Sequence, residues 1–239
     1  MSWMFYCASE FVFKNILIIL FKMANELLST IKIHIISLDE NIVSIFNSIF
    51  TQTDSKYKNI SVEYRNIAQC ESFDCIVSPA NSFGQMDGGI DGVLSYMLCT
   101  LDNLDYIGQK VRKIIADEYY GEQPVGTCIL VETDNKKYPY LAHSPTMSIP
   151  KNVSKTFNAY YAFKSVLGSV VNHNKNSDIS DMSKITSILT TTFCTGCGDM
   201  SKKTALTQMK KAFDIVYDGI GDTWFDANDF IIDLDETLL

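Results

Sequence analysis

Two hydrophobic rhythms alternate along this chain. Short apolar runs at 31–37, 59–65, 73–78, 126–132, 139–143 and 184–193 have the length of strands, and the Thr and Ile of the last run favour strand over helix. Between them lie stretches with helical spacing. Asp39 stands ahead of one in which Ile42, Ile45, Phe46 and Ile49 share a face, and it can cap that helix. The stretch 103–119 repeats the pattern with Ile107, Val111, Ile114 and Ile115, and helices are also expected over 92–98, 155–171 and 202–216. Pro79 is expected to end the third strand, and all five prolines fall between 79 and 150, the part richest in turns. Strands alternating with helices predict an α/β layered sheet in one main domain over about 30–220.

Two of the strand-to-helix junctions are rich in glycine. The first runs from Ser78-Pro-Ala-Asn81 to Asp87-Gly-Gly-Ile-Asp91-Gly92; the second is Cys194-Thr-Gly-Cys-Gly-Asp-Met200. Both have the same grammar of buried strand, small residues and helix start, which lets the backbone come close to a ligand. Ligands of layered α/β sheets bind beyond the carboxyl ends of the strands, so both loops should share that rim.

Composition narrows the ligand. The net charge of −8 argues against a nucleic-acid or anionic-membrane surface, because phosphate-backbone binders concentrate Lys and Arg. A phosphate group would have to rest mainly on backbone N–H groups at helix N-termini. Seven scattered cysteines, an odd number, fit a reducing intracellular compartment, the cytoplasm first and the nucleus second. The apolar stretch 11–21 lacks a basic flank, is interrupted by Lys14 and Asn15, and is too short for stable membrane insertion. Residues 1–29 therefore read as a leader outside the fold, with Met23 an alternative start, and 221–239 as an acidic tail. That tail has six acids and no bases over 222–236, and is expected either to add a last strand or to stay loose.

At the two loops the chain resembles the macro domain family of ADP-ribose-binding modules and ADP-ribose hydrolases. Ser78-Pro-Ala-Asn81 and Asp87-Gly-Gly-Ile-Asp91-Gly92 stand where the family has Asn-Ala-Ala-Asn and Gly-Gly-Gly-Val-Asp-Gly. Leu141-Ala-His-Ser-Pro-Thr146 is similar to its strand ending in His-Ala-Pro-Thr, and Thr195-Gly-Cys-Gly198 to its second glycine loop. The resemblance implies a three-layer α/β/α sandwich with a mixed central sheet. It also implies that ADP-ribose or an ADP-ribosylated protein is the partner, with no metal and no cofactor. In the hydrolase branch the roles of orienting the distal ribose and of activating water would fall by position to Asn81 and Asp91, with Asp199 a second catalytic candidate. Asn66, Ile67, Ala80, Gly88, Gly89, Ile90, Thr195, Gly196, Cys197 and Gly198 would contact the ligand. The expected activity is hydrolysis of an ADP-ribosyl adduct, a mono-ADP-ribosyl protein or O-acetyl-ADP-ribose; the alternative is a non-catalytic reader.

The same residues support plainer readings. Asp91 can simply cap the helix expected from Gly92, and Asp199 the one after it. Arg65-Asn-Ile-Ala68 replaces the family's Gly-Asp-Ile-Thr, so Asn66 would read adenine without charge, and Asp87 puts an anion near the expected phosphates. Cys194-Thr-Gly-Cys197 taken alone is a dithiol motif between strand and helix, which opens a redox reading. His143 reads as a core or rim histidine, His34 as a locally paired one, and Tyr160, Tyr161 and Phe163 as packing; Trp224 or Phe225 could stack on adenine from the tail.

Overall fold

The computed structural model describes residues 24–51, 54–177, 183–221 and 224–238. The expected leader's stretch at 11–21 and Met23 lie outside the described residues. Six strands form one mixed sheet: β1 (Lys32–Ser37), β2 (Ile60–Tyr64), β3 (Cys75–Asn81), β4 (Ile129–Glu132), β5 (Tyr140–Met147) and β6 (Ser187–Thr191). Their order is β2-β1-β6-β3-β5-β4. All neighbours run parallel except β4, which closes one edge antiparallel to β5.

The side-chain alternation of β3 shows how the layers arise. Cys75 and Val77 face one core and Ile76 the other, as a strand buried on both sides requires. The first core is covered by α1 (Ile42–Ile49), α4 (Asn158–Ser177) and α5 (Lys202–Asp218); the second by α2 (Gly89–Met97) and α3 (Tyr106–Tyr119). Helices on both faces of a sheet make the expected three-layer sandwich. No helix among the described residues is long and apolar enough to cross a membrane.

Two boundaries differ from expectation for clear reasons. Pro79 does not end β3, which continues to Asn81 with Pro79 opposite Ser144 of β5. Backbone groups alternate sides along a strand, and the Ala80 carbonyl accepts from Thr146 Oγ1 on β5 (3.2 Å), so position 79 turns toward β6. The β3–β6 ladder has stopped by then, at Ile76 and Leu189, so no partner misses the absent N–H. The acidic tail is neither strand nor loose segment: it forms α6 (Trp224–Asp235), seated by Leu234, which is buried, and by Phe230, 5.6 Å from the Tyr160 ring. Lys211 pairs with Asp233 at 2.7 Å beneath it. At the other end Leu28, assigned to the leader by sequence, is buried in the first core.

Candidate functional site

The parallel strands end on one rim, and there the sheet opens into a cleft of about 880 Å³. That lies within the range of about 300–1,000 Å³ found for small-molecule sites. The cleft lies where the β3–β6 ladder has ended, between the residues following β3 and those following β6. Asn81, Gly88, Gly89, Ile90 and Asp91 line it from the β3 side, and Thr195, Gly196, Cys197 and Gly198 from the β6 side, and Ala80 lines it as well. The two glycine loops expected on one rim do share it.

Asp91 is the most perturbed carboxyl group in the cleft. It sits in the first turn of α2, 8% exposed, rather than capping it; the N-cap is Gly88. Its carboxylate Oδ1 accepts from Ser78 Oγ at 2.5 Å. Burial pushes its pKa from 3.8 to about 6; the Ser78 hydroxyl opposes that rise, and the nearby Asp87 charge adds to it. Half-protonated near pH 6 and ionised at neutral pH, Asp91 has the pKa of a workable general base.

Asn81 is occupied differently from expectation. Its Nδ2 donates to the Gln85 carbonyl (2.7 Å), and its Oδ1 accepts from the Phe83 and Gln85 N–H groups (3.1 and 3.3 Å). Asn81 therefore shapes the first loop while lining the cleft.

The glycines carry the clearest ligand signal. A side chain at Gly88 or Gly196 would meet nothing within 4 Å, and neither has a left-handed backbone; Gly88 is extended, with φ −150°. Gly88 also serves as the N-cap of α2, where glycine is common, whereas the fold gives no reason for glycine at 196 and a ligand lying between the loops would. Gly198 is different: a Cβ there would lie 2.4 Å from the Cys194 carbonyl oxygen and 2.8 Å from Val153 Cγ2. Its own carbonyl accepts from Val153 N–H at 2.8 Å, so packing alone accounts for it.

Three expected site residues lie elsewhere. Asp199 does not line the cleft, nor does it cap α5: its carboxylate accepts from Asn152 Nδ2 (2.9 Å), and Ser201 is the cap, accepting from the Thr204 N–H. Ile67 is 4% exposed and packs with the second core. Asn66 caps a short 3₁₀ turn through Ala68 N–H (3.0 Å) and lines a neighbouring recess of about 500 Å³, which shares Leu38 and Tyr64 with the main cleft. Asp87 is exposed on the rim, and Phe225 is exposed on α6 and does not line the cleft.

The dithiol motif is not poised for redox work. Burial holds the Cys194 thiol up at about 12, far from the thiolate, while Cys197 is exposed; both are free. Cys194 and Asp199 adopt left-handed backbone at φ 62° and 55°, and the Met200 N–H donates to the Cys194 carbonyl (3.1 Å), closing a tight loop. His143 is fully buried and held down to about 3 by burial, hence neutral, with Nδ1 2.8 Å from Gln123 Oε1 and Nε2 unpartnered. His34 pairs locally with Ser61 (2.8 Å), and Tyr160 and Phe163 pack in the first core.

Sequence reasoning missed the third wall of the cleft. Residues 36–41, the end of β1 and the loop after it, line it, including Asp39 and Glu40, and Lys202 at the start of α5 faces Asp39 at 3.2 Å. The signal was a third strand-to-helix junction, without glycine to advertise it.

Comparisons with known proteins give a family and a fold. The Macro domain family model matches residues 77–209, more than half of the chain. The macrodomain of Mycobacterium tuberculosis DarG superposes with a TM-score of 0.51 at 15% identity, over 65% of this chain and 90% of that one. A variant of the Oceanobacillus iheyensis macrodomain with ADPR gives 0.45 at 14% identity over 70% and 87%, and the Trypanosoma brucei macrodomain 0.41 at 16% identity over 62% and 52%. Among curated proteins no sequence matches.

Proposed function

The chain belongs to the Macro domain family, and from that premise we propose that its cleft binds ADP-ribose or a close derivative and hydrolyses an ADP-ribosyl adduct. The observation that carries the binding reading is the pair of open glycines, Gly88 and Gly196, on opposite walls of the cleft. A diphosphate between them meets backbone N–H groups at the starts of α2 and α5, which suits an anion in a protein of net charge −8. The adjoining recess at Asn66 offers the adenine end a place beside an uncharged amide.

Catalysis rests on Asp91. In the proposed step a water oxygen bonds to the anomeric carbon of the distal ribose. The bond from that carbon to the protein-side or acetyl oxygen breaks, the water proton passes to Asp91, and the departing oxygen is protonated from solvent. The carboxylate is buried, held at Oδ1 by Ser78, and lines the cleft. The reader alternative draws on Asn81, whose hydrogen bonds hold the loop and leave fewer for a ribose.

Calorimetric titration of ADP-ribose tests the binding premise: saturable heat at micromolar to low millimolar ligand is expected, and its absence at millimolar ligand would rule out both readings. Release of ADP-ribose from mono-ADP-ribosylated protein then separates hydrolase from reader. The pH profile adds a sharper check. Asp91 must be ionised to accept a proton, so activity should rise with an apparent pKa of about 6. Ser78→Ala removes a donor that favours the carboxylate, and should move that acid limb upward by about one pH unit, the worth of one charge-assisted hydrogen bond. An unmoved limb would dissociate Ser78 from Asp91.

A further inference from the structure

Among the described residues lining the cleft, Asp39, Glu40, Asp87 and Asp91 are acidic and Lys202 alone is basic. Lys202 opens α5, where a positive charge opposes the helix dipole, so helix formation does not explain it. Its Nζ instead reaches Asp39 Oδ2 at 3.2 Å, joining the loop after β1 to the second glycine loop's helix, and both residues line the cleft. Both side chains are about 30% exposed (31% and 27%). A partly exposed pair of this kind contributes little to folding, so it can be exchanged without unfolding anything. Asp39 keeps its place when it loses Lys202, because its Oδ1 also accepts from Asn41 N–H at 2.9 Å.

We propose that Lys202 is the side-chain phosphate contact of this cleft and that Asp39 is its resident counter-anion, displaced when a diphosphate enters. This rests on the ADP-ribose reading. A dianion arriving between the loops meets one lysine and four carboxyl groups among the described lining residues, so taking Lys202 from Asp39 is the side-chain ion-pair change through which the cleft can favour it. Asp39 then acts as a specificity element: it holds Lys202 against weakly charged ligands and yields it to a diphosphate.

The test is a double-mutant cycle read by calorimetry with ADP-ribose at low and high salt. Lys202→Met should weaken binding about tenfold and flatten its salt dependence, and Lys202→Arg should restore most of the loss. Asp39→Asn, which keeps the Asn41 hydrogen bond, should tighten binding severalfold. The double variant should bind like Lys202→Met, since releasing a lysine that is absent gains nothing. Far-UV circular dichroism checks that each variant is folded. Binding by the wild type that neither single substitution alters, or tightening by Asp39→Asn that survives loss of Lys202, would overturn the exchange while leaving the ADP-ribose reading intact. No binding by the wild type would overturn both.

Discussion

Replacing Asp91 by asparagine should abolish most hydrolysis while making the folded protein more stable. The rate should fall by about 10²–10⁴-fold, the usual worth of a positioned general base, measured as ADP-ribose released from a mono-ADP-ribosylated protein. Stability moves the other way because burial disfavours the ionised side chain. The native pKa is about 6 against an ordinary 3.8. Between those values the native state keeps a proton that the unfolded chain releases, so stability falls as pH rises through that window and stays lower above it. Two pH units correspond to about 3 kcal/mol, so Asp91→Asn should raise the melting temperature at pH 7 by several degrees and show little effect near pH 4. Asparagine still offers Ser78 an acceptor, so the packing around it is preserved. Equal stability of the two proteins at pH 7 would remove the raised pKa of Asp91, and full activity of the variant would remove Asp91 from the mechanism.

Two glycines of one loop should differ in what alanine does to stability. At Gly198 the new Cβ would press on the Cys194 carbonyl at 2.4 Å and on Val153 at 2.8 Å, in a loop already closed by hydrogen bonds from Val153 and Met200. Overpacking of that kind costs about 1–3 kcal/mol, and the backbone displaced is the wall of the cleft. Gly198→Ala should lower thermal stability and weaken ADP-ribose binding together. At Gly196 the same methyl meets open space, so thermal stability should stay within about 0.5 kcal/mol of wild type, as surface changes usually do, while binding drops because the methyl stands where the ligand passes. Unchanged binding in Gly196→Ala would place the ligand elsewhere.

Much of this was legible in the residues. The strand runs announced themselves through β-branched apolar stretches, and the two loops through glycines that strands and helices avoid. Asp91 was visible for its place in the first loop; its burial and its bond to Ser78 were not, because they depend on α2 beginning at Gly89 and not near Gly92. Asp199 misled because a residue next to a glycine loop can face either way, and a left-handed backbone at φ 55° accompanies a side chain turned to Asn152. The tail misled in another way: its aromatic and aliphatic residues serve helical spacing against α4 and α5, a period that six acids obscured. Asp39 was noticed only as a helix cap, since its partner Lys202 lies far along the chain and pairing over that distance leaves no local pattern.

Pro79 has a larger part than its omission from any list of polar site residues suggests. Its ring nitrogen offers no hydrogen to β6, so the pairing of the two middle strands, which stops at Ile76 and Leu189, cannot resume through position 79. At that position the separation of the strands beside the binding region is set by the covalent backbone. An arriving ligand does not have to prise apart a closed sheet, and its affinity is not taxed by that work.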